Sequence, residues 1–302
     1  MKTYTHSGIF HADEVLATAI IRRIAREQKE SFSLQRVLEI PEDVEDDAII
    51  FDIGGGVYDH HSRDIEYREN GVPYSSVGLI WRDFGKDYLA FQRCPQEYIL
   101  SVFHEVDERF IQAVDARDNG YMEFEDAYCE NNLTFSDMIA NFNPAWDEAG
   151  KHVNGHSHFW RAVKFAGITF DRFVHRIISE YKARSVVLEA IAKSNGNVMI
   201  LDEYAPWQKI ILDEGNTRIW FVIYPSKRGG YSWQVVPVSF DDQTARCHVP
   251  EEWWGADKDT LKELSGVEDA IFCHRNGFLG SCESVEGCQR MVEKAIEQGG
   301  KR

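Results

Sequence analysis

The chain has 302 residues, 43% hydrophobic and 13% aromatic, with 50 acidic against 33 basic side chains and a formal charge of −17 at pH 7. That length and apolar content argue against a disordered tail and allow one large domain or two of ordinary size. Non-specific nucleic-acid affinity comes from Lys and Arg displacing counterions, so the acidic balance speaks against long duplex DNA and leaves a short single strand or a small phosphate ester, which needs only a local basic patch.

No apolar run reaches the roughly 18 residues of a membrane span, and the N-terminus lacks a basic-then-apolar leader, so no membrane partner and a cytoplasmic location are expected. Six cysteines, at 94, 129, 247, 273, 282 and 288, form no Cys-x-x-Cys pair. They are expected to be reduced structural thiols rather than metal ligands.

Thr3 to Thr5 reads as a short first strand. It feeds His6-Ser7-Gly8-Ile9-Phe10-His11-Ala12-Asp13, where polar groups converge between a strand and a helix. Over 13–28 the positions Leu16, Ile20 and Ile24 recur every four residues, which predicts a helix with one buried stripe. Asp13 and Glu14 fall in its first turn, where carboxylates suit the helix dipole, and Arg22, Arg23 and Arg26 read as a solvated face. Residues 34–40 and 48–53 are expected strands, the second apolar on both faces, as inside a parallel sheet.

After that strand come Asp52, the turn Gly54-Gly55-Gly56 and the island Tyr58-Asp59-His60-His61. Adjacent histidines in an extended segment face opposite ways, so His60 is assigned to metal and His61 to substrate. Ser75 or Ser76 is expected to cap a helix through Phe84, with Gly85 ending it. Pro95 begins a long helix to about Val114, which delivers Asp115-Ala116-Arg117-Asp118-Asn119-Gly120 at its C-terminus. Residues 134–142 and 157–192 are helical in pattern.

Strand–helix alternation over the first 120 residues predicts a doubly wound α/β domain with a mainly parallel sheet and ligands at the carboxyl ends of its strands. The expected organisation is a metal-binding catalytic domain over 1–150, a helical connector over 151–195 and a smaller α+β substrate domain over 196–302. Ser194-Asn195-Gly196-Asn197 marks the clearest boundary, and β-rich runs follow at 198–201, 209–212, 219–224 and 232–238.

Lys227-Arg228-Gly229-Gly230 reads as a hairpin turn able to contact phosphate. Arg275-Asn276-Gly277-Phe278-Leu279-Gly280-Ser281, leading into a helix from Ser284, is a better anion site, because a loop entering a helix N-terminus offers free N–H groups. Trp220, Trp233, Trp253, Trp254 and Phe278 could stack bases, although core packing is the commoner use of such residues.

Singly, each island has a plain reading, since a lone His is usually a surface or satisfied core residue and Asp-Asn-Gly is usually a turn. Four of them at the ends of apolar segments make coincidence the weaker explanation. Mixed imidazole and carboxylate ligands suit a transition metal such as manganese better than calcium.

Asp59-His60-His61, preceded by a strand ending in Asp52 and by the His6/His11/Asp13 island, resembles the DHH phosphoesterase superfamily, which includes RecJ-type exonucleases, oligoribonucleases and manganese-dependent pyrophosphatases. Within it, residues 5–14, Ser75-Ser76-Val77-Gly78-Leu79, Val114 to Gly120 and Phe142-Asn143-Pro144-Ala145-Trp146 resemble the MYG family. Its members are described as metal-dependent hydrolases, the eukaryotic ones as RNA exonucleases. Phe272-Cys273-His274 and Gly277-Phe278-Leu279-Gly280 extend the likeness over nearly the whole chain. One departure is His11, which stands where many DHH enzymes have the first Asp of His-x-x-x-Asp-x-Asp, with one extra residue before it.

The resemblance implies two divalent ions, manganese first and magnesium as the alternative. His6, His11 and Asp52 would hold one ion and Asp13, His60 and Asp115 the other, with Asp52 bridging. Asp59 would orient a histidine, and His61 would bind a phosphoryl oxygen or move a proton. Arg117, Lys227, Arg228, His274, Arg275, Gly277 and Gly280 are the expected substrate contacts. With Asp13, Asp52 and Asp115 as the anionic ligands, two dications leave a formal plus one, which favours phosphate between the metals. The expected activity is exonucleolytic hydrolysis of RNA or short single-stranded oligonucleotides. Hydrolysis of a small phosphate compound, such as pyrophosphate or a dinucleotide, is the alternative, and a metal-stabilised interaction module without turnover is the non-enzymatic one.

Overall fold

The computed structural model describes residues 1–61, 65–121, 133–148 and 155–299. The chain is mixed α/β and divides into two compact units, Met1–Ser179 and Glu180–Arg302. The division falls inside one long helix, α6 (Gly155–Lys193), and the turn at 194–197 follows its end.

In the first unit, β1 (Lys2–His6) lies between β2 (Ser33–Val37) and β3 (Ile49–Ile50), and both pairings are parallel, with Thr5 opposite Arg36 and Tyr4 opposite Ile50. A parallel bridge between Phe51 and Tyr58 continues the β3 line towards the histidine island. This three-stranded sheet is the parallel core that the alternation predicts. Helix α1 (Ala12–Gln28) buries Val15, Leu16, Ile20, Ile21 and Ile24 completely or nearly so and packs against α2 (Ser76–Phe91).

Gly85 does not end α2. The helix runs on to Phe91, and a Cβ at Gly85 would come within 2.7 Å of the Trp81 ring and 2.8 Å of Phe103. Those two rings stack with centroids 5.5 Å apart, so the glycine makes room for a ring stack inside the helix instead of stopping it.

The stretch expected as one long helix is four linked turns of different pitch. A 3₁₀ turn (Gln96–Tyr98) precedes α3 (Ile99–Val106), a π turn (Asp107–Ile111) and α4 (Gln112–Asp118). The π turn inserts one extra residue and so rotates everything after it on the helix surface. Helix α5 (Phe135–Ala140) starts on a Thr134–Asp137 capping box.

The second unit carries a five-stranded sheet of order β4-β5-β6-β8-β7, formed by β4 (Val198–Ile200), β5 (Phe221–Pro225), β6 (Tyr231–Val235), β7 (Ala270–Cys273) and β8 (Leu279–Cys282). Only β4 and β5 run parallel. Residues 209–212, expected as a strand, belong to α7 (Gln208–Asp213), where Ile210 and Ile211 are buried. A run of three apolar residues carries no period, so packing decides its form. Helices α8 (Lys258–Ser265) and α9 (Val285–Gly299) complete the unit, with Met291, Val292 and Ala295 in one core with Phe221 and Trp233.

Cys94, Cys247, Cys273, Cys282 and Cys288 are buried free thiols; Cys129 lies outside the described residues. Among the described residues, no helix is long and apolar enough to cross a membrane.

Candidate metal centre

The carboxyl ends of β1 and β3 and the start of α1 meet at one point. His6 is the last residue of β1, Asp13 and Glu14 are in the first turn of α1, and Asp52 follows the β3 line in the left-handed region at φ 59°. Strain of that kind in a side chain 3% exposed marks a position held by its surroundings. The backbone N–H of Asp52 is fixed by Tyr58 O at 3.0 Å.

Asp52 stands between two imidazoles. Its Oδ2 is 3.0 Å from His6 Nε2 and its Oδ1 is 3.2 Å from His60 Nε2. His6 Nε2 is also 3.1 Å from Glu14 Oε1, and His60 Nε2 is 3.1 Å from Asp118 Oδ2 and 3.6 Å from Asp13 Oδ2. Glu14 in turn accepts from the His11 backbone N–H at 2.8 Å. Side-chain ligand atoms therefore converge in overlapping sets: His6, His11 and Glu14; His11, Asp13 and Asp118; Asp13, Glu14 and Asp52; Asp52, His60 and His61.

The donor set fits a cation. Both oxygens of Asp13, Oδ1 of Asp52 and Nε2 of His60 are buried yet make no hydrogen bond of acceptable geometry. Orphaned carboxylate oxygens in a buried pocket are costly unless a charge compensates them. Without an ion, protons do part of that work. Burial and the neighbouring Asp52, Asp118 and Glu14 push the Asp13 carboxyl well above the usual range. Hydrogen bonding to Asp52 and Glu14 pushes His6 up to about 10, and for His60 burial is outweighed by Asp118 and Asp52, again to about 10. Burial likewise opposes ionisation of Asp52, but the two imidazoles overcome it and hold the carboxyl low.

The two histidines differ in burial and partners, although their rings lie 4.3 Å apart and both approach Asp52 Oδ1 instead of facing opposite ways as a strand's alternation would have them. His60 places Nδ1 3.3 Å from Asn119 Oδ1, while Asn119 Nδ2 donates to Tyr74 O and Asp115 O, which orients the amide and fixes Nε2 on the carboxylates. His61 is exposed, with Nδ1 2.8 Å from Asp59 Oδ1 and 3.5 Å from Asp52 Oδ1. Asp59 is pinned by the backbone N–H groups of Gly55 and His61, so it orients His61 and not His60.

Asp115, expected as a ligand, is engaged elsewhere. Its Oδ1 accepts from Ser75 Oγ at 2.6 Å and from Gly78 N at 3.1 Å, and its Oδ2 accepts from Arg68 at 2.7 Å. Burial raises its pKa to about 6, against the pull of Arg68 and Ser75. Asp118, three residues on, reaches the cluster instead. Asp13, Glu14, Asp52 and Asp118 thus bring four carboxylates to the cluster, against the three of the sequence expectation. Sequence reasoning had placed Glu14 on the helix dipole, Asp118 in a turn, and had passed over Arg68. The Phe142-Asn143 motif also gains a role, because the Asn143 amide brackets the Phe10 backbone, accepting from its N–H at 3.0 Å and donating to its O at 2.8 Å.

A family model described as "Uncharacterised protein family (UPF0160)", the MYG1 exonuclease model, matches residues 2–296. The chain belongs to the MYG1 exonuclease family. It is 30% identical to the MYG1 exonuclease of Homo sapiens over 97% of this chain and 85% of the human one. It is 29% identical to a MYG1 protein of Schizosaccharomyces pombe over 98% of both chains, and 26% identical to the MYG1 protein of Dictyostelium discoideum over 98% and 97%.

In this MYG1 family member, Arg117 lines a cavity of about 520 Å³ with His11, His60, His61, Asp118 and Asn119, and its Nη2 is 3.1 Å from Asp137. Lys227 and Arg228 are exposed in the β5–β6 turn. The 275–281 segment does not enter a helix: it is the tip of the β7–β8 hairpin and then β8 itself, with α9 beginning only at Val285. Gly277 N–H donates to His274 O at 2.8 Å, so it is not free for an anion. Gly277, at φ 68°, lies against Trp254, and Gly280 lies against Trp233, so packing accounts for both glycines. His274 sits with its ring centroid 4.4 Å from that of Phe278, and Arg275 is exposed. Trp233 and Trp253 are buried, Trp220 and Trp254 pack on the same core, and Phe278 alone of the five aromatics is exposed.

Proposed function

We propose that the chain is a metal-dependent phosphodiester hydrolase, an exonuclease on RNA or short single-stranded oligonucleotides, with two divalent ions on a DHH-like, doubly wound first unit. Manganese is the first candidate and magnesium the alternative. Asp13 carries the reading: a fully buried carboxylate whose two oxygens lack hydrogen bonds, facing Asp52, Asp118 and His60. The name exonuclease borne by the human relative supports the reaction class.

In this reading His6, His11, Glu14 and Asp52 would hold one ion, and Asp13, His60, Asp118 and Asp52 would hold the other. Bound there, the ions supply a water acidified from ~15.7 towards neutrality and positive charge at the phosphoryl oxygens. The chain's own groups do the rest. Asn119 locks the His60 tautomer, and Asp59 keeps the His61 ring at the cavity, where it donates to a phosphoryl oxygen or accepts a proton. Arg117 offers a guanidinium to the substrate phosphate, and His274, Arg275, Lys227 and Arg228 are further candidate contacts.

The test is turnover of a panel from pyrophosphate and dinucleotides to long single-stranded RNA, with manganese, magnesium and chelator in parallel. Manganese-dependent cleavage that chelator abolishes is expected. The reading falls if the manganese-loaded protein hydrolyses none of them. The charge of −17 favours a second reading, a small phosphate substrate, and turnover confined to pyrophosphate or dinucleotides would select it.

A further inference from the structure

A basic groove lies in the first unit, away from the carboxylate cluster. Arg22, Arg23 and Arg26 on α1 face Lys164 and Ile168 on α6 across a cavity of about 440 Å³, with Phe32 at its rim. On the sequence alone the three arginines read as a solvated face; α6 turns them into one wall of a groove. Arg23 is committed to Glu27 and Asp171, and Arg26 to Glu27. Arg22 and Lys164 make no ion pair among the described residues, and both are exposed. Both therefore line the groove as cations without a carboxylate partner among the described residues, in a chain with 17 excess negative charges.

Aromatic rings adjoin the cations. Arg22 lies over the Trp160 ring at 5.2 Å, and Trp160 meets Phe32 edge to face at 6.3 Å. From there contacts lead back to the cluster: Arg36 lies 4.4 Å over Phe159, the neighbour of Trp160, and donates to His6 O and Gly8 O. Along the axis of α1, Arg22 is roughly 13 Å from Asp13 and Arg26 roughly 20 Å. A strand whose end is at the cluster would need a few further nucleotides to reach the groove.

We propose that this groove is a second binding site, which holds the phosphodiester backbone of single-stranded RNA beyond the nucleotides at the metal cluster. The proposal rests on the nuclease reading for its occupant and on the groove's own chemistry for its existence. Cations track the backbone, and Phe32 in the groove lining and Trp160 beside it, with Arg22 over its ring, are the nearest platforms for unstacked bases, a combination that tolerates any sequence and is salt-sensitive. It also reconciles an acidic protein with a polyanionic substrate, since binding draws on local and not net charge.

The test uses the full-length chain and the variant Arg22→Glu/Lys164→Glu, whose thermal melt should match wild type because both side chains are exposed. Binding of a uridine oligonucleotide of about twelve residues is followed by fluorescence anisotropy in chelator, and dinucleotide hydrolysis is followed in manganese. The variant should bind the oligonucleotide at least about tenfold more weakly, with a salt slope shallower by about 1.4, and should cleave dinucleotides as wild type does. Equal oligonucleotide affinity and salt slope in the two proteins overturns the groove while leaving the nuclease reading untouched. Groove-dependent oligonucleotide binding without hydrolysis of any phosphodiester would sink the nuclease reading and keep the groove. If polyglutamate binds wild type as tightly as the oligonucleotide does, with the same sensitivity to the variant, the surface is a protein-docking site and the proposal is wrong.

Discussion

Arg68 donates to Asp115 at 2.7 Å and grips both oxygens of Asp107 through Nε and Nη2. That bond makes Asp115 a brace between α2, α4 and the segment before α2. Asp115→Asn is therefore expected to keep its metal content and lose about 1–3 kcal/mol of stability, because a buried guanidinium loses one of its two carboxylates. Asp118→Asn should lose an ion, and its metal-free melt should lose part of the pH dependence that the Asp118–His60 contact supplies. Elemental analysis with thermal melts decides; metal loss with an unchanged melt in Asp115→Asn would return that residue to the ligand set.

Gly78 belongs to the same brace. A Cβ there would overlap Asp115 Oδ2 and come within 2.8 Å of the Tyr74 ring. Gly78→Ala should cost about 1–3 kcal/mol by overpacking. Combined with Asp115→Ala, which opens the space, the two losses should fall well short of adding. Simple additivity in denaturant melts would show that the methyl clashes with something else.

The cluster titrates in opposite senses with and without ions. His6 and His60 have folded values of about 10 against about 6.5 unfolded, so they stabilise the metal-free chain fully below pH 6.5, and this is lost as pH rises towards 10. Asp13, raised in the fold, acts in the same direction at lower pH. Metal-free Tm should fall between pH 6.5 and 10. Manganese affinity should rise over that window, with proton release visible as a buffer-dependent calorimetric enthalpy. A flat metal-free Tm would mean that the two imidazoles are not held by these carboxylates.

Much of the site was legible because its ligands sit where elements end. A strand end fixes His6, the first turn of a capped helix fixes Asp13 and Glu14, and a second strand end fixes Asp52. The choice between Asp115 and Asp118 was not legible. It depends on helical phase, and the π turn at Asp107–Ile111 shifts that phase by a residue, which no 3.6-residue pattern announces. Glu14 was hidden because a first-turn carboxylate already has a reason to be there. The groove was invisible because its other wall, α6, lies over 130 residues downstream of Arg22.

His60 and His61 are neighbours with rings 4.3 Å apart, yet their surroundings differ: one is buried among carboxylates, the other exposed on Asp59. His60→Ala should weaken binding of one ion, because it removes a ring that Asn119 aims at Asp52 and Asp118. His61→Ala should keep both ions and lose about 10²–10⁴ in kcat, the usual worth of a positioned proton donor or acceptor. Asp59→Asn should fall between wild type and His61→Ala in kcat, since it loosens the ring without deleting it, and its pH–rate profile should shift. Calorimetric titration with manganese and steady-state kinetics on a dinucleotide separate the cases. Equal metal loss in His60→Ala and His61→Ala would show that both rings are ligands, and the phosphate-facing role would then pass to Arg117, which lines the same cavity.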